Sequence, residues 1–303
     1  MSGHGEIRLG AAADRRLLAL SLALLVAFMA VEVVFGILAG SLALLADAAH
    51  MLTDAAALAL ALLAASMAAR PAEGRWTFGF ARAEILAAQA NGLALVLLAV
   101  WIVYEAARRL AEPANVQGAV VLVVALVGIL VNGVVLALLA RARRESLNIR
   151  GAYLHVVSDL AAFAGTALAG LLILLTGWDR FDPVASLAVA VLMLAGGWSL
   201  LKESGRIFLE GAPASAPPRE VGDALAGHPR VVEAHDLHVW TVTSGFPALS
   251  AHVLVQPGAD CHRIRLELEG MLRERFGIDH STLQVEHVGA QSGLEIRRSG
   301  ASN

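Results

Sequence analysis

Ala46-Asp47-Ala48-Ala49-His50-Met51-Leu52-Thr53-Asp54 lies inside an apolar run from Ser41 to Ala69. A run of that length crosses a bilayer as a helix, which takes about 20 apolar residues. A charged group at that depth costs roughly 2.5–3.5 kcal/mol on insertion scales. Asp47, His50 and Asp54 must therefore face a protein interior or a water-filled cavity. His50 and Asp54 are four residues apart, so they share one helix face. A second apolar run, Leu147 to Leu175, repeats the spacing in His155-Val156-Val157-Ser158-Asp159. Set face to face, the two helices offer two imidazoles and two carboxylates, a donor set suited to tetrahedral Zn²⁺. The plainer reading is four separate polar groups bonding between helices; one spacing found twice, on two spanning segments, favours the shared site.

The set fits Zn²⁺, with Cd²⁺, Co²⁺ and Fe²⁺ as alternatives, better than Cu(I) or Mg²⁺. Its members bind metal only when deprotonated, so protons compete with the ion. Imidazole titrates in the physiological range. The chemistry is that of a metal/proton antiporter. Asp47, one turn before His50, either orients that imidazole, lines the route to it or serves helix packing. Glu32, Asn91 and Asn132 read as interhelical hydrogen-bonding groups. Gly36, Gly92, Gly128, Gly133, Gly165 and Gly170 read as points of close helix approach.

The rest of the chain agrees with a membrane protein. Of its 303 residues, 57% are hydrophobic, too many for a soluble domain of this size. The net charge of −3 argues against a nucleic-acid partner. A single cysteine, Cys261, excludes an internal disulfide framework. Six spans are expected, near 16–39, 42–69, 80–110, 118–140, 149–175 and 184–202. Arg15-Arg16 before an apolar run also suits a twin-arginine signal. Yet Leu17 to Leu38 exceeds a usual signal core, contains Glu32 and lacks an Ala-x-Ala cleavage site, so it reads as a retained span. Arg15, Arg16, Arg70, Arg75, Arg141, Arg143, Arg144, Lys202 and Arg206 fall on one side, placing both termini in the cytoplasm. Arg108, Arg109 and Arg180 fall on the other side.

The expected organisation is a flexible tail over 1–15, a six-helix transmembrane transport domain over 16–205, a small cytoplasmic α+β domain over 206–290, and a flexible tail over 291–303. After the linker Ala212 to Pro218, the order of elements reads αββαβ. Ile264, Leu266, Leu268, Met271 and Leu272 form the expected apolar face of its second helix. A domain of about 80 residues is small for independent stability, so dimerisation or metal binding is expected to support it.

These motifs resemble those of the cation diffusion facilitators, in particular bacterial zinc-efflux members. The resemblance rests on Leu45 to Asp54, on Thr77-Phe78-Gly79-Phe80-Ala81-Arg82-Ala83-Glu84-Ile85-Leu86 with Asn91-Gly92, and on His155 to Asp159. It continues through His235-Asp236-Leu237-His238-Val239-Trp240 and His280-Ser281-Thr282-Leu283-Gln284-Val285-Glu286, so it covers nearly the whole chain. It implies a multi-pass inner-membrane homodimer with a metallochaperone-like cytoplasmic domain, exporting zinc in exchange for protons. His50, Asp54, His155 and Asp159 match the transport ligands. His235, His252, His262, Gln284 and Glu286 match positions that bind further, regulatory zinc. The chain departs from some members in lacking a histidine-rich loop between helices 4 and 5. It also lacks the Asp and His of a helix 2–3 loop site, offering only Glu73, so no metal is expected there. An enzyme is not expected: His-Glu-x-x-His is absent, and four protein ligands leave no open metal position for water. The remaining alternative is a metal sensor working through the soluble domain.

Overall fold

The structure is a computed structural model describing residues 3–141 and 147–289; side chains are described from residue 20 onward, those of residues 139–155 and 158 excepted. The expected tail 291–303 lies outside the described residues, as do Arg143 and Arg144 between the fourth and fifth spans. Six helices are long and apolar enough to cross a membrane: α1 (Gly3–Ala39), α2 (Leu42–Ala68), α3 (Ala83–Ala111), α4 (Gly118–Arg141), α5 (Leu147–Thr176) and α6 (Phe181–Phe208). Where residues 1–15 were expected to be a flexible tail, α1 is helical from Gly3; no proline breaks the stretch, and Ala11-Ala12-Ala13 leads into the apolar span. Helix α6 continues to Phe208, past the expected Lys202, with no proline to stop it and with Gly205 taken up inside the helix.

The chain divides into two compact units. The first holds α1, most of α2 and α3, α4, α5, and α6 to Leu201. Its core gathers Phe28, Leu44, Val121, Ala125 and Phe163, with the Phe28 and Phe163 rings edge to face at 5.5 Å. Helices α4 and α5 pack closely because Gly170 sits against the backbone: an added Cβ would meet Leu122 N at 2.7 Å. Gly128, Gly36 and Gly92 also sit against neighbouring side chains. Gly133 and Gly165 do not fit that expectation; a Cβ there meets nothing within 4 Å among the described residues. Asn132 likewise differs, since its Nδ2 donates to Gly128 O of its own helix at 3.0 Å.

One end of this unit is fixed by Asp182, in the first turn of α6 and fully buried. It accepts from Ser41 Oγ at 2.5 Å, Leu42 N at 2.7 Å and Ala43 N at 3.3 Å, satisfying the start of α2. Arg109 Nη1 donates to Gly40 O at 2.6 Å and lies 3.9 Å from Asp182. Arg180 donates to Leu110 O at 2.8 Å. Arg109 and Arg180, which run against the side bias of the other basic residues, thus close this end of the bundle.

The second unit comprises residues 63–86 and those from 202 onward. Its small domain has α7 (Pro218–Ala226), β1 (Val231–Thr243), β2 (Phe246–Val255), α8 (Cys261–Phe276) and β3 (His280–His287), the expected αββαβ order. Strand β2 is central, antiparallel to β1 and parallel to β3, with α8 as the crossover. Asp260 caps α8 by accepting from Arg263 N at 3.1 Å, and Gly277 ends it at φ +66°. The buried face of α8 is Ile264, Leu268, Leu272 and Phe276, packed with Leu249, Ala251, Val253 and Leu283 of the sheet. Leu266 was expected on that face but is 51% exposed, because it lies half a turn round from Ile264 and Leu268. The loop between α2 and α3 belongs to this unit. Phe78 packs edge to face on Phe246 at 6.5 Å and on His280 at 5.7 Å, and Thr243 donates to Glu84 at 3.4 Å.

Candidate metal sites

In the membrane unit, α2 presents Asp47, His50 and Asp54 along successive turns. His50 Nε2 lies 3.8 Å from Asp54 Oδ2, as the four-residue spacing requires, and both side chains are about a quarter exposed, at 23% and 29%. Asp47 and Asp159 are nearly closed off from solvent. Asp159 stands on α5, one turn after His155, whose side chain is outside the described ones.

Glu32 of α1 is fully buried, and its carboxyl group interacts with that of Asp47, with Asp159 also within electrostatic reach. One helix thus brings a further carboxyl group beside those of α2 and α5. From the sequence Glu32 reads only as an interhelical hydrogen-bonding group. Its signal was an acidic residue in the middle of a membrane span, where ionisable groups mark functional interiors.

In the soluble domain, the pairing register sets His235, His252 and Gln284 in one row across β1, β2 and β3. Ala251 and Val253 turn into the core, so this row occupies the opposite face. The His235 and His252 ring centres are 5.5 Å apart. Gln284 Nε2 donates to Glu286 Oε1, which ties these two side chains together. His262 stands apart, on α8, the helix that covers the core face of the sheet.

Two residues outside the predicted set join the group. A bulge in β1 between His235 and His238 puts Asp236 at φ +51°. Its carboxylate accepts from His238 Nε2 at 2.9 Å and lies 3.9 Å from His252 Nε2. The His238 bond, with smaller contributions from His252 and His235, holds the Asp236 carboxyl below its ordinary value of 3.8. The sequence could not show this, because the bulge breaks the alternation that assigns side chains to faces. Among the described residues, no three His, Cys, Asp or Glu side chains are gathered closely enough to enclose a metal ion.

Six membrane-length helices with the carboxyl groups of Glu32, Asp47 and Asp159 buried in their interior, joined to a small α+β domain, define a polytopic membrane transporter. A family model for the cation efflux transmembrane domain matches residues 18–209, and one for the cation efflux protein cytoplasmic domain matches residues 217–288. The chain belongs to the cation efflux family, the cation diffusion facilitators, whose members are transporters and not enzymes. It is 38% identical to a cadmium, cobalt and zinc/H⁺-K⁺ antiporter of Bacillus subtilis over 279 residues, 90% of this chain and 89% of that one. It is 40% identical to the metal cation efflux system protein CzcD of Cupriavidus metallidurans over 286 residues, 94% and 90% of the two chains. It is also 40% identical to the zinc transporter ZitB of Escherichia coli over 262 residues, 86% and 83%.

Proposed function

We propose that the protein exports Zn²⁺ across the inner membrane in exchange for protons, using His50, Asp54, His155 and Asp159 as the transport ligands. The observation that carries this reading is the His50–Asp54 pair on α2, with Asp47 and Glu32 linking it to the buried Asp159 of α5. Two neutral imidazoles and two carboxylates neutralise a divalent ion and leave no ligand position for water. Protonation of the same groups on the far side releases the ion, and the protonated site carries hydrogen ions back. Asp47 orients His50, and Glu32 supports Asp47.

Both termini face the cytoplasm, as the arginine bias along the chain supports. The protein works as a homodimer. A zinc ion held by His235, His252 and Glu286, with Gln284 and His262 as weaker candidates, draws two soluble domains together and biases the membrane helices. Asp236 and His238 belong to the same imidazole-rich face. The Bacillus relative's range of metals favours a second reading in which Cd²⁺ and Co²⁺ are also carried. The test is zinc flux into proteoliposomes under an imposed pH gradient. Flux that needs the gradient and is lost in Asp54→Ala and Asp159→Ala supports the proposal; unchanged flux in those variants overturns it. Running Cd²⁺ and Co²⁺ beside Zn²⁺ separates the two readings.

A further inference from the structure

The segment between Ala68, the last residue of α2, and Ala83, the first of α3, forms a closed loop with a cavity of about 660 Å³. The loop builds this cavity by itself, from Arg70, Glu73, Arg75, Trp76 and Phe80 with Pro71 and Gly74. Its shape is internally fixed. Trp76 N donates to Glu73 O at 3.1 Å, Gly79 N to Trp76 O at 2.9 Å, and Ala83 N to Phe80 O at 2.9 Å. The two ends meet where Gly79, at φ +60°, packs on the Arg70 carbonyl; a Cβ there would stand 3.3 Å from that oxygen.

The chemistry of the lining is specific. Arg70 and Arg75 are exposed, and neither pairs with a carboxylate among the described residues. Glu73 is the one acidic group on the cavity wall, so the lining carries a net positive charge. Trp76, 57% exposed, stacks at a tilt on Phe80 with ring centres 5.4 Å apart, giving an apolar wall beside the two cations. Arg70 follows a membrane-spanning helix by two residues, and α3 re-enters the membrane just after Phe80. The cavity therefore sits at the depth of lipid headgroups. Arginine forks bind phosphate oxygens in pairs. Tryptophan with an apolar body and a polar N–H is suited to the same interface.

We propose that this loop is a binding site for the phosphate headgroup of an anionic phospholipid. Arg70 and Arg75 hold the phosphodiester, and Trp76 with Phe80 packs against the glycerol and upper acyl region. Free phosphate shares the charge but has no apolar portion to meet the aromatic wall. A bound lipid ties the α2–α3 connection to the bilayer surface.

Native mass spectrometry of the full-length protein in a zwitterionic detergent tests this, with phosphatidylglycerol, phosphatidylcholine and inorganic phosphate added in separate titrations. The expected result is saturable retention of phosphatidylglycerol, weak retention of phosphatidylcholine, and no competition from millimolar phosphate. Arg70→Gln/Arg75→Gln lowers phosphatidylglycerol affinity roughly 30-fold, since each arginine near an anionic surface contributes a factor of about five. Trp76→Ala lowers it several-fold with both charges intact. Arg263→Gln/Arg273→Gln removes the same charge from α8 and leaves binding unchanged. Equal binding by wild type and the Arg70/Arg75 variant overturns the proposal, as does equal loss in the α8 variant or displacement of lipid by phosphate. Retained size-exclusion profiles and thermal midpoints confirm that the variants fold.

Discussion

Ser41 Oγ donates a 2.5 Å hydrogen bond to Asp182 Oδ1, so the first turn of α6 holds the start of α2. The same carboxylate accepts the Leu42 and Ala43 amides and faces Arg109. Removing one partner of a buried charged network costs about 3–5 kcal/mol, because the remaining charge is left unpaired. Asp182→Ala is expected to destabilise the membrane unit by about that amount, read as denaturant unfolding in detergent. Asp182→Asn keeps one acceptor and costs less. Because α2 carries His50 and Asp54, zinc flux falls in step with stability.

Truncating a proposed ligand acts on transport rather than on the fold. Asp54→Ala and Asp159→Ala are each expected to lower zinc flux by at least tenfold while leaving the helical content and size-exclusion profile intact. Zinc affinity in the wild type weakens as pH falls, since the ligands must lose their protons to bind metal. Isothermal titration at two pH values in detergent measures this. Affinity independent of pH would separate metal binding from proton exchange.

Glu32 supplies a third prediction. Its carboxyl group faces Asp47 and is within reach of Asp159, and it is the single acidic residue of the apolar stretch Leu20–Ala39. Partners that orient metal-binding groups typically change affinity 10–100-fold when lost. Glu32→Gln is expected to lower zinc flux by about tenfold with normal thermal stability. Wild-type flux in Glu32→Gln would assign this residue to helix packing alone.

The soluble domain carries the pH prediction. Hydrogen bonding from His238 holds the Asp236 carboxyl below 3.8 in the folded protein. A carboxyl depressed on folding stabilises the fold above its unfolded value, and that contribution is lost as pH falls through the folded value. Asp236→Asn should therefore lower the thermal midpoint of the full-length protein near pH 6, with the difference from wild type shrinking as pH falls through the folded value. A difference that persists at the acidic end would assign the effect to the bulge geometry instead. Solvent screening at this exposed position keeps the contribution to stability small.

Much of this protein was legible in its residues. Hydrophobic length determined six spans, because a bilayer admits only segments whose backbone is satisfied internally. The period-2 and helical patterns determined αββαβ, and the repeated His-x-x-x-Asp spacing selected the proposed ligands from ten histidines in the chain. Spacing within one helix fixes which side chains share a face, so the His50–Asp54 contact followed from the sequence alone. What only the tertiary structure decided were relations across elements. Glu32 beside Asp47, Asp182 at the start of α2, Asp236 turned onto His238 and His252 by a bulge, and the closed Arg70–Gly79 loop all bring together groups whose meeting depends on packing or on local backbone irregularity. Periodicity carries no information about either, because it describes each segment as regular and alone.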